Sequence, residues 1–209
     1  MRAAVPTVYV VDDDPDVLKA IERLLESTGL DVATFSSPQK FLEGYDRNAP
    51  GCLVLDLALP GLSGLDVQRV LEEQASVLPI VFLTGRGDIA ASVQAMKHGA
   101  ADFLTKPVDD TALIAAIHDA LARDQILRPA YVERERVAKC LAMLTQRERQ
   151  VLELVVAGRL NKQIASELGT TEETVKFHRG NLMRKMGVRV VADLVKLAER
   201  VGIGSTPGA

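Results

Sequence analysis

The sequence predicts an α/β domain built on a parallel sheet, followed by a small all-α domain, and three observations carry that reading. Apolar runs rich in β-branched residues alternate five times with segments of helical periodicity in the first 125 residues. Beyond Pro129 no strand pattern recurs, and short helical segments punctuated by glycine take over. Charge divides the chain in the same way. Residues 1–143 carry 14 Lys and Arg against 21 Asp and Glu, a net of −7, whereas residues 144–209 carry 11 against 7, a net of +4. An acidic half joined to a basic half points to a cation site in one and a polyanion partner for the other.

Strands are expected at residues 7–11, 32–35, 52–55, 80–83 and 102–105, where Val, Ile, Leu, Phe and Thr cluster. Between them, helices are expected at 17–27, 38–46, 64–73, 89–98 and 110–124, several entered through Asp, Ser or Pro and left through Gly. Five βα units imply a parallel sheet covered on both faces, with polar chemistry gathered at the carboxy ends of the strands. Residues 131–143 read as a charged helix within a linker at 126–143. From Leu144 onward, helices are expected at 147–157, 161–167, 172–186 and 191–201, with Gly158, Gly169 and Gly187 as stops. The expected domains are thus 1–125, a helical linker 126–143, and 144–209 with a mobile tail at 202–209.

Composition excludes several function classes. A chain of 209 residues with 47% hydrophobic and 25% charged residues suits two small globular domains and not a disordered segment. Its apolar runs fall far short of the roughly 20 residues that span a bilayer, and the start MRAAVPTVYVVDDD reaches acidic residues too early for a signal peptide. A cytoplasmic location without membrane attachment is therefore expected. Cys52 and Cys140 show no metal-ligand spacing and are expected to be inert. No G-x-G-x-x-G follows a strand, which argues against a dinucleotide cofactor.

Chemistry concentrates at four strand ends. Asp12, Asp13 and Asp14 follow the first strand, Asp56 ends the third, Thr84 ends the fourth and Lys106 follows the fifth. Neighbouring strands about 4.8 Å apart bring such ends together. Clustered carboxylates repel one another, so a divalent cation is expected, and Mg²⁺ suits hard oxygen ligands that bridge to a phosphoryl group. A nucleophilic carboxylate, a hydroxyl and an ammonium beside that ion form a phosphoryl-accepting site.

The segments VVDDD, LVLDLALPGLSG, VFLTGRGD and DFLTKP, in this order, resemble the receiver domain of two-component response regulators over residues 6–125. The resemblance implies a flavodoxin-like five-stranded parallel-sheet fold, Asp56 as phosphoacceptor and a sensor histidine kinase as phosphodonor. By position it makes Asp13, Asp56 and the Ala58 backbone carbonyl direct Mg²⁺ ligands, with Asp12 acting largely through water. It casts Thr84 as switch hydroxyl, Phe103 as switch aromatic and Lys106 as phosphate partner, and implies a cis Lys106–Pro107 bond. Ala58 and Arg86 depart from common family choices. An aspartyl-phosphate phosphatase would need a second Asp two positions after the nucleophile, where this chain has Ala58, so an enzyme is not expected. A receiver serving only as a dimerisation scaffold is the other alternative, and acetyl phosphate labelling separates the two.

In the basic half, Thr145 with Glu148 and Thr171 with Thr174 open helices, and Val175, Leu182 and Met186 recur as an inner face. The string LTQRERQVLELVVAGRLNKQIASELGTTEETVKFHRGNLMRKMGV is similar to the LuxR/NarL helix-turn-helix domain over 144 to about 201. That implies a small four-helix fold with 161–169 as supporting helix and 171–186 as recognition helix. Lys176, His178 and Arg179 become candidates for DNA contact, with Lys162 a further phosphate candidate. Thr170 stands where the family has an aliphatic residue. Together the two halves resemble the FixJ/StyR-type branch. The implied partners are promoter DNA, a second copy of the chain on phosphorylation, and RNA polymerase as a further candidate. Activation by dimerisation or by unmasking of the recognition helix both fit.

Overall fold

In the computed structural model the five apolar runs form β1 (Thr7–Val11), β2 (Asp31–Phe35), β3 (Gly51–Asp56), β4 (Ile80–Thr84) and β5 (Asp102–Thr105). All pair in parallel, in the order β2-β1-β3-β4-β5. This is the flavodoxin-like order, with its switch point between β1 and β3. The structure describes residues 5–85 and 89–200, the side chains of residues 89 and 90 excepted; Arg86 and the tail expected at 202–209 lie outside them.

Strand side chains point to alternate faces, so each strand feeds two cores. On one face Tyr9, Val11, Leu53, Leu55, Ile80 and Phe82 pack with Phe41 of α2 (Pro38–Gly44), Val67 and Leu71 of α3 (Gly64–Glu73) and Ala95 of α4 (Ile89–Lys97). On the other, Val8, Val10, Cys52, Val54, Val81 and Leu83 meet Leu18, Ile21 and Leu25 of α1 (Pro15–Ser27) and Leu113, Ala116, Ile117 and Ala120 of α5 (Asp110–Ala142). Because β1, β3 and β4 are covered on both sides, they read as continuous apolar runs. Burial pushes the Cys52 thiol up to about 12, so it stays an unreactive thiol.

Several boundaries differ from the sequence expectation for local reasons. Helix α1 starts at Pro15, two residues earlier than expected, because Asp14 caps it by accepting from Asp16 N at 2.8 Å. Helix α2 ends at Gly44, since Tyr45 turns extended at φ −80° and ψ 141°. Helix α5 does not stop near 124 but runs to Ala142 with Pro129 inside it. Proline normally breaks a helix. The turn before it is pinned: Asp124, 1% exposed, accepts from Gly51 N at 3.1 Å and from Arg128 Nε at 3.0 Å.

The contacts divide the chain into two units, Met1–Pro129 and Ala130–Ala209. In the second, α6 (Gln146–Val156), α7 (Asn161–Glu167), α8 (Glu172–Met186) and α9 (Val191–Arg200) enclose a core that includes Val151, Ile164, Val175, Leu182, Met186 and Leu194. Gly158, Gly169 and Gly187 take φ of 76°, 62° and 68°, the left-handed conformation that ends a helix. Among the described residues no helix is long and apolar enough to cross a membrane.

Glu148 does more than its capping box requires. It accepts from Thr145 N at 2.8 Å and from Lys185 Nζ at 2.7 Å, tying the start of α6 to the end of α8. Desolvation would raise its carboxyl, but Lys185 and Thr145 outweigh it and hold the group below the ordinary range. A depressed folded value means stabilisation that is complete above the unfolded value and fades as pH falls through the folded one. Glu148→Gln is therefore expected to cost about 1 kcal/mol at neutral pH. Urea midpoints of the two proteins should converge as pH falls below about 4.3, the ordinary glutamate value; a gap that stays constant as pH falls through that range and below would show that the carboxylate is not the source.

Candidate functional site

Register brings the polar groups of the first unit to one edge. Val11 pairs with Leu55 and Asp56 with Leu83, so Asp12, one residue beyond β1, stands level with Asp56 at the end of β3. Thr84 pairs with Thr105, which places Lys106 just past the same edge. Oxygen atoms of Asp12, Asp13 and Asp56 lie within 4.8 Å of one another, a cluster that could hold a metal ion. Asp12 is fully buried and Asp56 is 6% exposed, whereas Asp13 faces solvent. Two desolvated carboxylates beside an open one make a cup with a hydrated mouth. All three donors are hard oxygens, as a small divalent cation requires.

Lys106 closes the cup from β5, donating to Asp12 Oδ2 at 2.6 Å and standing 3.0 Å from Asp56 Oδ2. Burial by itself would lower the ammonium, but the bonds and charges of Asp12 and Asp56 prevail and hold it above its usual value. Asp12 also accepts from Asp14 N at 2.9 Å, and Asp56 Oδ1 from Ala58 N at 3.3 Å, so both carboxylates are held by backbone. Ala58 itself is exposed beside the cluster. Thr84 is 3% exposed and donates to Gly85 O at 3.1 Å. Phe103, half-buried, lies 6.4 Å from Phe82 ring to ring, and the Lys106–Pro107 bond is cis. Gly64 permits the tight β3–α3 turn, since a methyl there would fall 2.7 Å from the Asp56 carbonyl oxygen. The spacing of the motifs does not reveal this last constraint.

In the second unit, α8 has two distinct faces. Val175, Leu182 and Met186 are buried against the core. At about 100° per residue, Phe177, Gly180 and Arg184 point the opposite way, and all three are exposed. Phe177 is 66% exposed, an unusual position for a large aromatic, and its ring meets His178 edge-on at 5.6 Å. Lys176 is exposed and loosely paired with Glu173 at 3.6 Å. His178 and Arg179 sit on the inward flanks and are half-buried; Arg179 Nη1 donates to Asn161 Oδ1 at 2.7 Å. Lys162 is exposed in the first turn of α7. Charge-based reading of the sequence passed over Phe177, Gly180 and Asn161. Projecting the helix from its apolar ridge finds the first two.

Such a chain couples an acidic, metal-competent α/β unit to a helix-turn-helix unit, the plan of a signal-responsive DNA-binding regulator. Residues 8–118 match the response regulator receiver domain, and residues 142–198 match the bacterial regulatory proteins of the luxR family. Response regulator protein TodT of Pseudomonas putida is 46% identical over 200 residues, covering 96% of this chain and 87% of its own length. Transcriptional regulatory protein FixJ of Azorhizobium caulinodans is 41% identical over 202 residues, covering 97% and 96%. Among solved structures, response regulator StyR is 46% identical with a TM-score of 0.70, covering 94% of this chain and all of that one. The chain belongs to the response regulator family, of the receiver plus luxR-type architecture, and is a regulator of transcription and not an enzyme.

Proposed function

We propose that Asp56 accepts a phosphoryl group from the phosphohistidine of a sensor histidine kinase, and that this controls binding of the second unit to promoter DNA. The observation that carries the reading is the convergence of Asp12, Asp13, Asp56 and Lys106 at one sheet edge. An Asp56 oxygen attacks phosphorus as the P–N bond to the kinase histidine, protonated on its other ring nitrogen, breaks, leaving an acyl phosphate on Asp56 and a neutral imidazole on the kinase. Asp12, Asp13, Asp56 and the Ala58 carbonyl would hold Mg²⁺, which supplies charge neutralisation for the phosphoryl oxygens. Lys106 stands ready to exchange its bond to Asp56 for one to the phosphoryl group. Thr84 turns toward that group, and Phe103 moves into the space it leaves.

The repacked surface then pairs with a second copy of the chain, placing two recognition helices on half-sites roughly 34 Å apart. RNA polymerase is the further partner of the assembled complex, and the cytoplasm its location. Lys176, His178, Arg179 and Lys162 contribute to DNA contact, and Phe177 on the outward face of α8 offers an apolar surface to a thymine methyl. Residues 126–143 act as the linker between signal and output.

Mg²⁺-dependent labelling by acetyl phosphate, followed by sedimentation, tests the first half: labelling with dimer formation supports the reading, and no labelling would sink it. For the second half, Lys176→Ala is expected to weaken operator binding by about 1–3 kcal/mol. Labelling of Asp56 should be unchanged. The exposed pair with Glu173 is worth too little for the substitution to disturb folding.

A further inference from the structure

Arg179 and Asn161 form the one link between α8 and α7 that joins a cation to a neutral acceptor, among the hydrogen bonds described between those two helices. Other cations of this unit that reach across it use carboxylate or carbonyl oxygens, as Lys185 does with Glu148 and Met143. Among the described residues no carboxylate pairs with Arg179. The Asn161 carboxamide therefore fixes the position of the guanidinium without cancelling its charge. A fork of N–H groups remains for another acceptor.

Position decides what that acceptor is. Arg179 lies roughly 40° around the helix from the ridge of Val175, Leu182 and Met186, on the flank toward α7. The side of α8 that faces away from the core, with Phe177 and Gly180, is the side that can reach the floor of a groove. In helix-turn-helix proteins the first helix of the motif crosses the DNA backbone while the second enters the groove. A guanidinium anchored to the first residue of α7 is held at the rim, where phosphates run.

We infer that Asn161 is a positioning residue that presets Arg179 as a clamp for a DNA phosphate, so that Arg179 contributes affinity without reading sequence. The inference rests on the proposed role of α8 as recognition helix. The cations of that helix then have separate roles, with Arg179 securing the backbone while sequence is read from the outward face.

The test uses the full chain with Mg²⁺ and acetyl phosphate and two duplexes of equal length, one selected by the wild-type protein from a random library and one scrambled. Dissociation constants are measured by fluorescence anisotropy across a KCl series. Arg179→Gln, which removes the charge while keeping a polar N–H donor on that flank, is expected to weaken both duplexes about tenfold and to reduce the salt slope by about one. Asn161→Ala should weaken both without changing the charge, and should add nothing in the Arg179→Gln background. Circular dichroism melts establish that each variant is folded at the assay temperature. If Arg179→Gln instead erodes the preference for the selected duplex, Arg179 reads bases and the inference is wrong. Independent, multiplicative effects of the two substitutions, or an unchanged salt slope, would also overturn it. Wild-type chain that prefers neither duplex would remove the DNA-reading role of α8 itself, a failure distinct from these.

Discussion

Asp56→Asn is expected to abolish phosphorylation entirely while leaving the first unit folded. Asparagine keeps the shape of the side chain but only one acceptor oxygen, so it can retain the contact from Ala58 N, made to Oδ1, while the contact of Lys106 with the other oxygen is lost. What it lacks is an anionic oxygen to attack phosphorus and to ligate a cation. The substitution also removes one of three carboxylates whose oxygens lie within 4.8 Å of one another. That relieves repulsion while weakening the pairing of Lys106, and the two effects oppose each other in stability. Intact-mass analysis after incubation with Mg²⁺ and acetyl phosphate should show a phosphoryl adduct on the wild type alone. Sedimentation of the same samples should show assembly on the wild type alone. An adduct on Asp56→Asn at the wild-type rate would place the acceptor elsewhere.

Leu182→Ala is expected to cost about 2–5 kcal/mol, as truncations of buried leucines do. Leu182 has no exposed surface and sits among Val151, Ile164, Val175 and Leu194, at the point where α6, α7 and α9 converge on α8. A domain this small has only a few kcal/mol of net stability. The variant should therefore lose DNA binding through unfolding of the second unit, seen as a separate low-temperature transition in calorimetry. The acidic edge is built wholly from residues of the first unit, so labelling of Asp56 should continue at the wild-type rate. Retained DNA binding with an undisturbed melt would show that the pocket around Leu182 collapses without cost.

How much of this is legible in the sequence depends on the range of the interaction involved. Strand positions and most helix starts follow from local patterns: Thr145 with Glu148 and Thr171 before α8 each act within three residues. Where a local rule meets a distant contact, the distant contact prevails. Pro129 suggests a helix end, yet α5 continues to Ala142. Asp124 and Arg128 in the preceding turn are held to Gly51 and Arg47, more than 70 residues away in the chain. The carboxylate cluster is readable because a parallel sheet places all strand ends on one edge whatever the details of packing. The bonds Lys106 makes to Asp12 and Asp56 require the register of four adjacent strands, β1, β3, β4 and β5.

The amino-acid sequence by itself determined the two-unit plan, the sheet, the acidic edge and the apolar ridge of α8, because each depends on residue type at short or periodic spacing. Only the tertiary structure decided the close approach of Gly64 to the Asp56 backbone, the tie from Glu148 to Lys185 and the hold of Asn161 on Arg179. Each joins atoms from different elements within a few ångströms. Such distances are set by how whole helices and strands pack, which no local spacing specifies.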